Sequence, residues 1–150
     1  MTKASDFYHS KVVIDSSVLL KAVLNEEGSE QVSQLLAMHK QNECTLLAPK
    51  LLLFEFMNII NRIITKEKQV KTAIKLFESI DIALLDLDSQ SIFEASKRVH
   101  KKSKSSFYDS SFHALAKTLS ATFLTADLQY FNAHKDEGNI ALFSTSESKE

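Results

Sequence analysis

The sequence encodes an α/β domain, a three-layer α/β/α sandwich around a parallel sheet of about five strands. Short apolar runs recur at strand length, and they lack the apolar-polar alternation of a half-exposed strand, as strands covered on both faces do. Longer segments with helical spacing separate them, which implies right-handed crossovers and helices on both sheet faces.

The elements follow in chain order. Lys11–Ile14 is the first predicted strand and Thr45–Ala48 the second. Pro49 then suits the opening of a helix over Leu51–Lys66, followed by a helix over Val70–Ser79. Ile82–Leu85 is the third strand, and Asp88 is placed to cap a helix over Ser89–His100. A helix over Asp109–Leu119 leads to the fourth strand, Ala121–Leu124. A helix beginning near Asp127 precedes the fifth, Asn139–Phe143. Residues 1–10 read as a lead that can fray, residues 11–143 as one domain, and residues 144–150, with no apolar residue, as a frayed tail.

Composition narrows the function. The chain has 150 residues, 44% of them hydrophobic, enough for one domain that hides roughly 70% of its unfolded surface. A single cysteine, Cys44, excludes an intrachain disulfide and cysteine-clustered zinc or iron-sulfur sites, and it fits a reducing, cytoplasmic setting. The only glycines, Gly28 and Gly138, are too far apart for any glycine-rich phosphate loop. With 18 basic and 19 acidic residues the chain is no diffuse polycation, so any nucleic-acid contact must be local. No apolar stretch approaches the ~20 residues that span a bilayer, and the polar start lacks a signal peptide's apolar core.

Four carboxylates stand in apolar surroundings: Asp15 after VVI, Glu55 inside LLLFEFMNII, Asp109 inside FYDSSFHALA, and Asp127 after ATFLTA. Such burial costs several kcal/mol (order of magnitude) unless the group is paired, protonated or bound to a metal. In a parallel sheet the strand ends and the first turns of the following helices share one edge, so all four are predicted to converge on the carboxyl edge. Two carboxylates ~4 Å apart repel by ~4 kcal/mol at an effective dielectric of ~20, and a hard divalent cation relieves this. All-oxygen ligation favours Mg2+ or Mn2+ over zinc. Each residue also has a plainer reading. Asp15, Asp109 and Asp127 can be helix caps, and Glu55 can pair with Arg62 on the same helical face.

The residues resemble the PIN-domain nucleases and, within them, VapC-like ribonucleases of toxin-antitoxin pairs. VIDSSVLL is similar to the family's opening aspartate followed by small hydroxyl residues (Asp15, Ser16, Ser17), and FEFMNII to its glutamate-x-x-asparagine helix (Glu55, Asn58). YDSSFHALA resembles the third motif, with Asp109, and LTADLQYF the final Thr-x-Asp motif, with Thr125 and Asp127. Phe112 stands where a tyrosine or histidine is common. The resemblance implies a divalent-metal-dependent endoribonuclease, a homodimer, an RNA substrate and a small antitoxin that occupies the active-site groove.

On this reading Asp15, Asp109 and Asp127 ligate the metal directly or through water, and Glu55 either ligates it or orients the attacking water. Ser17, Asn58 and Thr125 are candidates to hold the carboxylate rotamers. Lys101, Lys102 and Lys104 either contact RNA phosphates, with Phe107 or Tyr108 available for stacking, or form a solvated helix end. His113, one turn after Asp109, either touches substrate or packs. Two other readings compete: a PIN-like module that binds RNA or protein without cutting, and a haloacid-dehalogenase-type phosphatase built on Asp86 and Asp88. Gln90 stands where the latter wants threonine or valine.

Overall fold

The computed structural model describes residues 2–101 and 105–145. Five parallel strands form the sheet: β1 (Lys11–Ile14), β2 (Thr45–Pro49), β3 (Ala83–Leu85), β4 (Thr122–Thr125) and β5 (Ile140–Leu142), in the spatial order β3-β2-β1-β4-β5. Seven α-helices flank it among the described residues: α1 (Ser16–Val23), α2 (Ser29–Lys40), α3 (Leu51–Ile63), α4 (Glu67–Ile80), α5 (Ser89–Lys101), α6 (Phe107–Thr118) and α7 (Leu128–His134). Each predicted strand is present, shifted by at most a residue at its ends. The continuous apolar runs are the central strands: Val12, Val13 and Ile14 of β1 and Phe123 and Leu124 of β4 are almost wholly enclosed.

Helices α1 and α2 occupy a segment to which sequence patterning assigns no element. Val32, Leu35 and Met38 form α2's buried stripe at three-residue spacing, but polar residues interleave with them and dilute the amphipathic signal. The helix predicted to run to Lys66 stops at Ile63, and Pro49 ends β2 rather than entering the helix. With so few glycines, the left-handed backbone positions fall to other residues. Asp81 terminates α4 at φ 57°, and Asn42 and Ser120 adopt positive φ just past α2 and α6.

The lead is anchored. A 3-10 turn over Ala4–Phe7 buries Phe7 in the core, the Thr2 hydroxyl donates to the Leu142 carbonyl at 2.6 Å, and the His9 amide donates to the Glu43 carbonyl at 2.7 Å. Residues 146–150 lie outside the described residues.

This topology places the site. From β1 the chain moves outward to β2 and β3, then returns to lay β4 on the other flank of β1. The order reverses between β1 and β4, and the crevice beyond their carboxyl ends is where open α/β sheets hold ligands. Asp15 follows β1 directly, and Asp127 stands two residues past β4.

Candidate active site

Asp15 caps α1, its Oδ1 accepting the Val18 amide at 3.1 Å. The cap is only part of its bonding. The Ser17 hydroxyl donates to the same oxygen at 2.5 Å, and the Thr125 hydroxyl donates to Oδ2 at 2.7 Å. Ser17 Oγ in turn accepts the Ala126 amide at 3.0 Å, and Thr125 Oγ1 accepts the Asp127 amide at 3.1 Å. These bonds tie the ends of β1 and β4 together around one carboxylate whose rotamer is fixed from three sides.

Asp127 caps α7, accepting the Tyr130 amide at 2.9 Å. Asp109 does not cap its helix. Ser106 does, accepting the Asp109 amide at 3.0 Å while its hydroxyl donates to Asp109 Oδ2 at 2.8 Å. Glu55 comes from the second turn of α3 and accepts the Ser16 hydroxyl on Oε2 at 3.2 Å. No ion pair joins it to Arg62 among the described residues, although both line the same cleft. The sequence places Ser16 in the first motif without giving it a bond to Glu55. The two are 39 positions apart, and only the crossing of α1 and α3 joins them.

One cleft of about 330 Å³ is lined by Asp15, Ser16, Ser17, Glu55, Asn58, Ile59, Arg62, Asp109 and Asp127. All four predicted carboxylates are therefore together, contributed by the starts of four separate helices. Their burial is unequal, contrary to the expectation that all four are desolvated: Asp15 and Glu55 are half-buried, whereas Asp109 and Asp127 are exposed. The Ser17 and Thr125 hydroxyls both donate to Asp15. Asn58 lines the cleft but hydrogen-bonds to none of the four carboxylates.

The proton affinities follow burial. Desolvation raises the Asp15 carboxyl to about 6, against lowering bonds from Ser17, Thr125 and Val18, with Asp109 adding repulsion. Desolvation likewise raises Glu55 to about 7, Ser16 lowering it and Asp109 and Asp15 raising it further. Among the described residues Arg62 is the only basic side chain lining this cleft against four carboxylates, and the carboxylate and hydroxyl donors there are all oxygen. Such a set suits a hard divalent cation such as Mg2+ or Mn2+.

The raised Glu55 value has a measurable result. Its folded pKa exceeds its ordinary value of 4.5, so its contribution to stability is fully present below about 4.5 and is lost as pH rises through about 7. Glu55→Gln removes that penalty and keeps an acceptor for Ser16. In EDTA the variant is expected to melt on the order of a few degrees above wild type at pH 8, and level with it near pH 4. Thermal unfolding at the two pH values checks this, and equal melting at pH 8 contradicts it.

Comparison with known proteins agrees with this geometry. The family model of the PIN domain matches residues 12–136. The chain belongs to the PIN domain family. The fold of this PIN domain is similar to solved structures. One is VapBC2 from Rickettsia felis bound to a DNA fragment from their promoter, at TM-score 0.69 and 16% identity, over 89% of this chain and 99% of that one. Another is FitAcB from Neisseria gonorrhoeae, at TM-score 0.65 and 16% identity, over 89% of this chain and 97% of that one. No curated protein matches the sequence.

The remaining predicted residues lie elsewhere in this PIN domain. Asp86 is exposed and pairs with Lys50 at 2.8 Å, while Asp88 caps α5 by accepting the Ser91 amide at 2.7 Å. That accounts for both without phosphatase chemistry. Lys101 ends α5 and lines a different cleft, of about 380 Å³, with Lys97, Lys117 and Glu94; Lys102 and Lys104 lie outside the described residues. Among the described residues no helix is long and apolar enough to cross a membrane.

His113 is fully enclosed and is not among the residues that line the acidic cleft, so of its two readings the structure takes packing. Its Nε2 donates to the Gly138 carbonyl at 2.8 Å, and burial holds its pKa near 4, which leaves Nδ1 free to accept the Tyr130 hydroxyl at 3.2 Å. Beside it His134 Nδ1 donates to Glu137 Oε1 at 2.7 Å, His134 Nε2 faces the Ser105 hydroxyl, and Arg98 Nε donates to Glu137 Oε2 at 2.7 Å. His113, His134 and Glu137 are close enough to share a metal ion. Both rings already have partners on both nitrogens, however, and Arg98 supplies the positive charge, so this is a buried hydrogen-bond network. It ties Ser105, next to the cap of α6, to the end of α7. The sequence hides it, because Arg98 stands among Lys97, His100 and Lys101 near a helix end, where basic side chains are ordinarily solvated, and yet is 3% exposed.

Proposed function

We propose that the chain is a divalent-metal-dependent endoribonuclease, the toxin of a toxin-antitoxin pair, acting in the cytoplasm as a homodimer. The observation that carries this reading is the convergence of Asp15, Glu55, Asp109 and Asp127 from four elements on one cleft at the sheet's switch point. PIN-family membership supports nuclease chemistry, and the resemblance of the four motifs to VapC-like ribonucleases supports RNA as the substrate. The fold similarity to VapBC2 and FitAcB supports a small antitoxin partner.

Asp15, Asp109 and Asp127 would hold Mg2+ or Mn2+, with Glu55 beside them. Such a cation supplies a bound water of lowered pKa and stabilises the attacking and leaving oxygens of an in-line displacement at phosphorus. The chain's own groups do the positioning. Ser17 and Thr125 clamp Asp15, Ser106 sets the rotamer of Asp109, and the Tyr130 amide sets that of Asp127. Glu55, with Oε2 bonded to Ser16 and a pKa near 7, can take up a proton on Oε1 at neutral pH.

Purified protein is expected to cleave members of a panel of single-stranded and structured RNAs in Mg2+ or Mn2+ and to stop in EDTA. Cleavage that persists in EDTA, or its absence across the panel with either metal, overturns the reading.

A further inference from the structure

An aromatic shelf adjoins the acidic cleft. Leu51, Phe54, Glu55 and Asn58 of α3 and Tyr108 of α6 line a recess of about 420 Å³, and Glu55 and Asn58 line the acidic cleft as well. The two spaces are therefore neighbours, with Glu55 and Asn58 between them. Each ring sits one position before a carboxylate: Phe54 before Glu55, Tyr108 before Asp109. Both rings are largely in solvent, Phe54 at 71% and Tyr108 at 59% exposure. Packing against the core does not explain them.

Electrostatics says what such a shelf can do. Among the described residues Arg62 is the only basic side chain lining the acidic cleft, against four carboxylates, so a polyanion gains little there away from the cation itself. An RNA strand held at this edge needs binding energy that carries no charge. Stacking of bases on aromatic faces supplies it without regard to sequence. In an A-form duplex those base faces are already covered, and only unpaired nucleotides can be splayed onto a protein ring. The Asn58 side chain is exposed and makes no hydrogen bond among the described residues, so its amide is available to the edge of a base placed beside it.

We propose that Phe54 and Tyr108 form a base-stacking subsite for an unpaired nucleotide next to the scissile phosphate. This rests on the ribonuclease reading and adds to it two residues that hold the substrate strand.

The test is fluorescence anisotropy of a labelled single-stranded oligoadenylate and of a blunt RNA duplex of the same length. Calcium replaces magnesium, as a hard cation that the oxygen donors also accept. The variants are Phe54→Ala, Phe54→Leu, Tyr108→Ala and Tyr108→Phe. Each alanine change, and Phe54→Leu, is expected to weaken single-strand binding roughly 5- to 100-fold, the range measured when a stacking ring is removed. Tyr108→Phe should bind like wild type, and Mn2+ affinity should be the same in all. Wild-type affinity in both alanine variants, equal binding of duplex and single strand, or full rescue by Phe54→Leu overturns the subsite. Should the alanine changes leave RNA binding intact but turn a dimer into a monomer in sedimentation, the face is a contact between copies and the proposal is likewise overturned. Wild type that binds and cleaves RNA while the variants are unaffected refutes the shelf alone. Wild type that neither binds nor cuts refutes the ribonuclease reading as well.

Discussion

Asp109→Asn and Asp15→Asn are each expected to lower metal-dependent RNA cleavage more than about 100-fold. That figure is a lower bound, because changing even the hydrogen-bond partners of metal ligands typically costs ~10- to 100-fold. The two variants should differ in fold stability. Asp109 is exposed and bonded on one oxygen to Ser106, so its amide is readily accommodated. Asp15 accepts from Ser17, Thr125 and Val18, and an amide nitrogen in place of either oxygen opposes a hydroxyl or amide donor. Asp109→Asn is thus the cleaner test of chemistry. Thr125→Val, which removes the donor to Asp15 Oδ2, should fall within the ~10- to 100-fold range, with Thr125→Ser restoring activity. Initial rates on one RNA at saturating Mn2+ check the series, and wild-type rates for Asp109→Asn contradict the assignment.

Glu137→Gln is expected to destabilise the fold more than Asp109→Asn does, with no direct role for the residue in cleavage. Arg98 is 3% exposed, and among the described residues Glu137 is its only carboxylate partner within salt-bridge distance. Burial raises the Glu137 carboxyl, but bonds from His134 and Arg98 outweigh that and bring it down to about 2. Removing its charge leaves the guanidinium buried and uncompensated. Loss of one partner of a fully buried pair costs ~3 to 5 kcal/mol; with the Glu137 side chain 28% exposed, about 2 to 3 kcal/mol is expected. At roughly 2 to 4 °C per kcal/mol for a chain of this size, the melting temperature should drop by about 5 to 10 °C. The pH dependence has a definite sign. A carboxyl held below its ordinary 4.5 stabilises the fold fully above about 4.5 and loses that contribution as pH falls toward about 2. The gap between wild type and Glu137→Gln should therefore be widest at neutral pH and narrow below about 4. A constant gap from pH 7 to pH 3 contradicts the ion-pair account.

The acidic edge is legible in sequence because its signal is local: a carboxylate at the end of an apolar run is out of place wherever it occurs, and a parallel sheet sends such residues to one edge. The same logic locates Ser17, two positions from Asp15, and Thr125, two positions from Asp127, but not the bond that Thr125 makes to Asp15 across 110 positions. It cannot foresee that Asp109 and Asp127 are exposed while Asp15 and Glu55 are not, since burial at an edge depends on how α1 and α3 close over it. Helix α2 escapes the pattern because polar residues dilute its three buried positions. Arg98 and Glu137 are 39 positions apart, and their bond depends on how α5 meets the turn after α7. Nothing in the composition of either segment marks one as the other's partner.

On this account four carboxylates from separate elements together hold one kind of ligand, a hard divalent cation. Calorimetric titration of Mn2+ into the wild-type chain and into Asp109→Asn at about pH 7.5, above the raised Asp15 (about 6) and Glu55 (about 7), addresses it without reference to any RNA. Saturable binding to wild type, weakened at least about tenfold in Asp109→Asn and kept intact in Glu137→Gln, is the predicted result. Equal Mn2+ affinity in wild type and Asp109→Asn, or no binding to wild type, would contradict it.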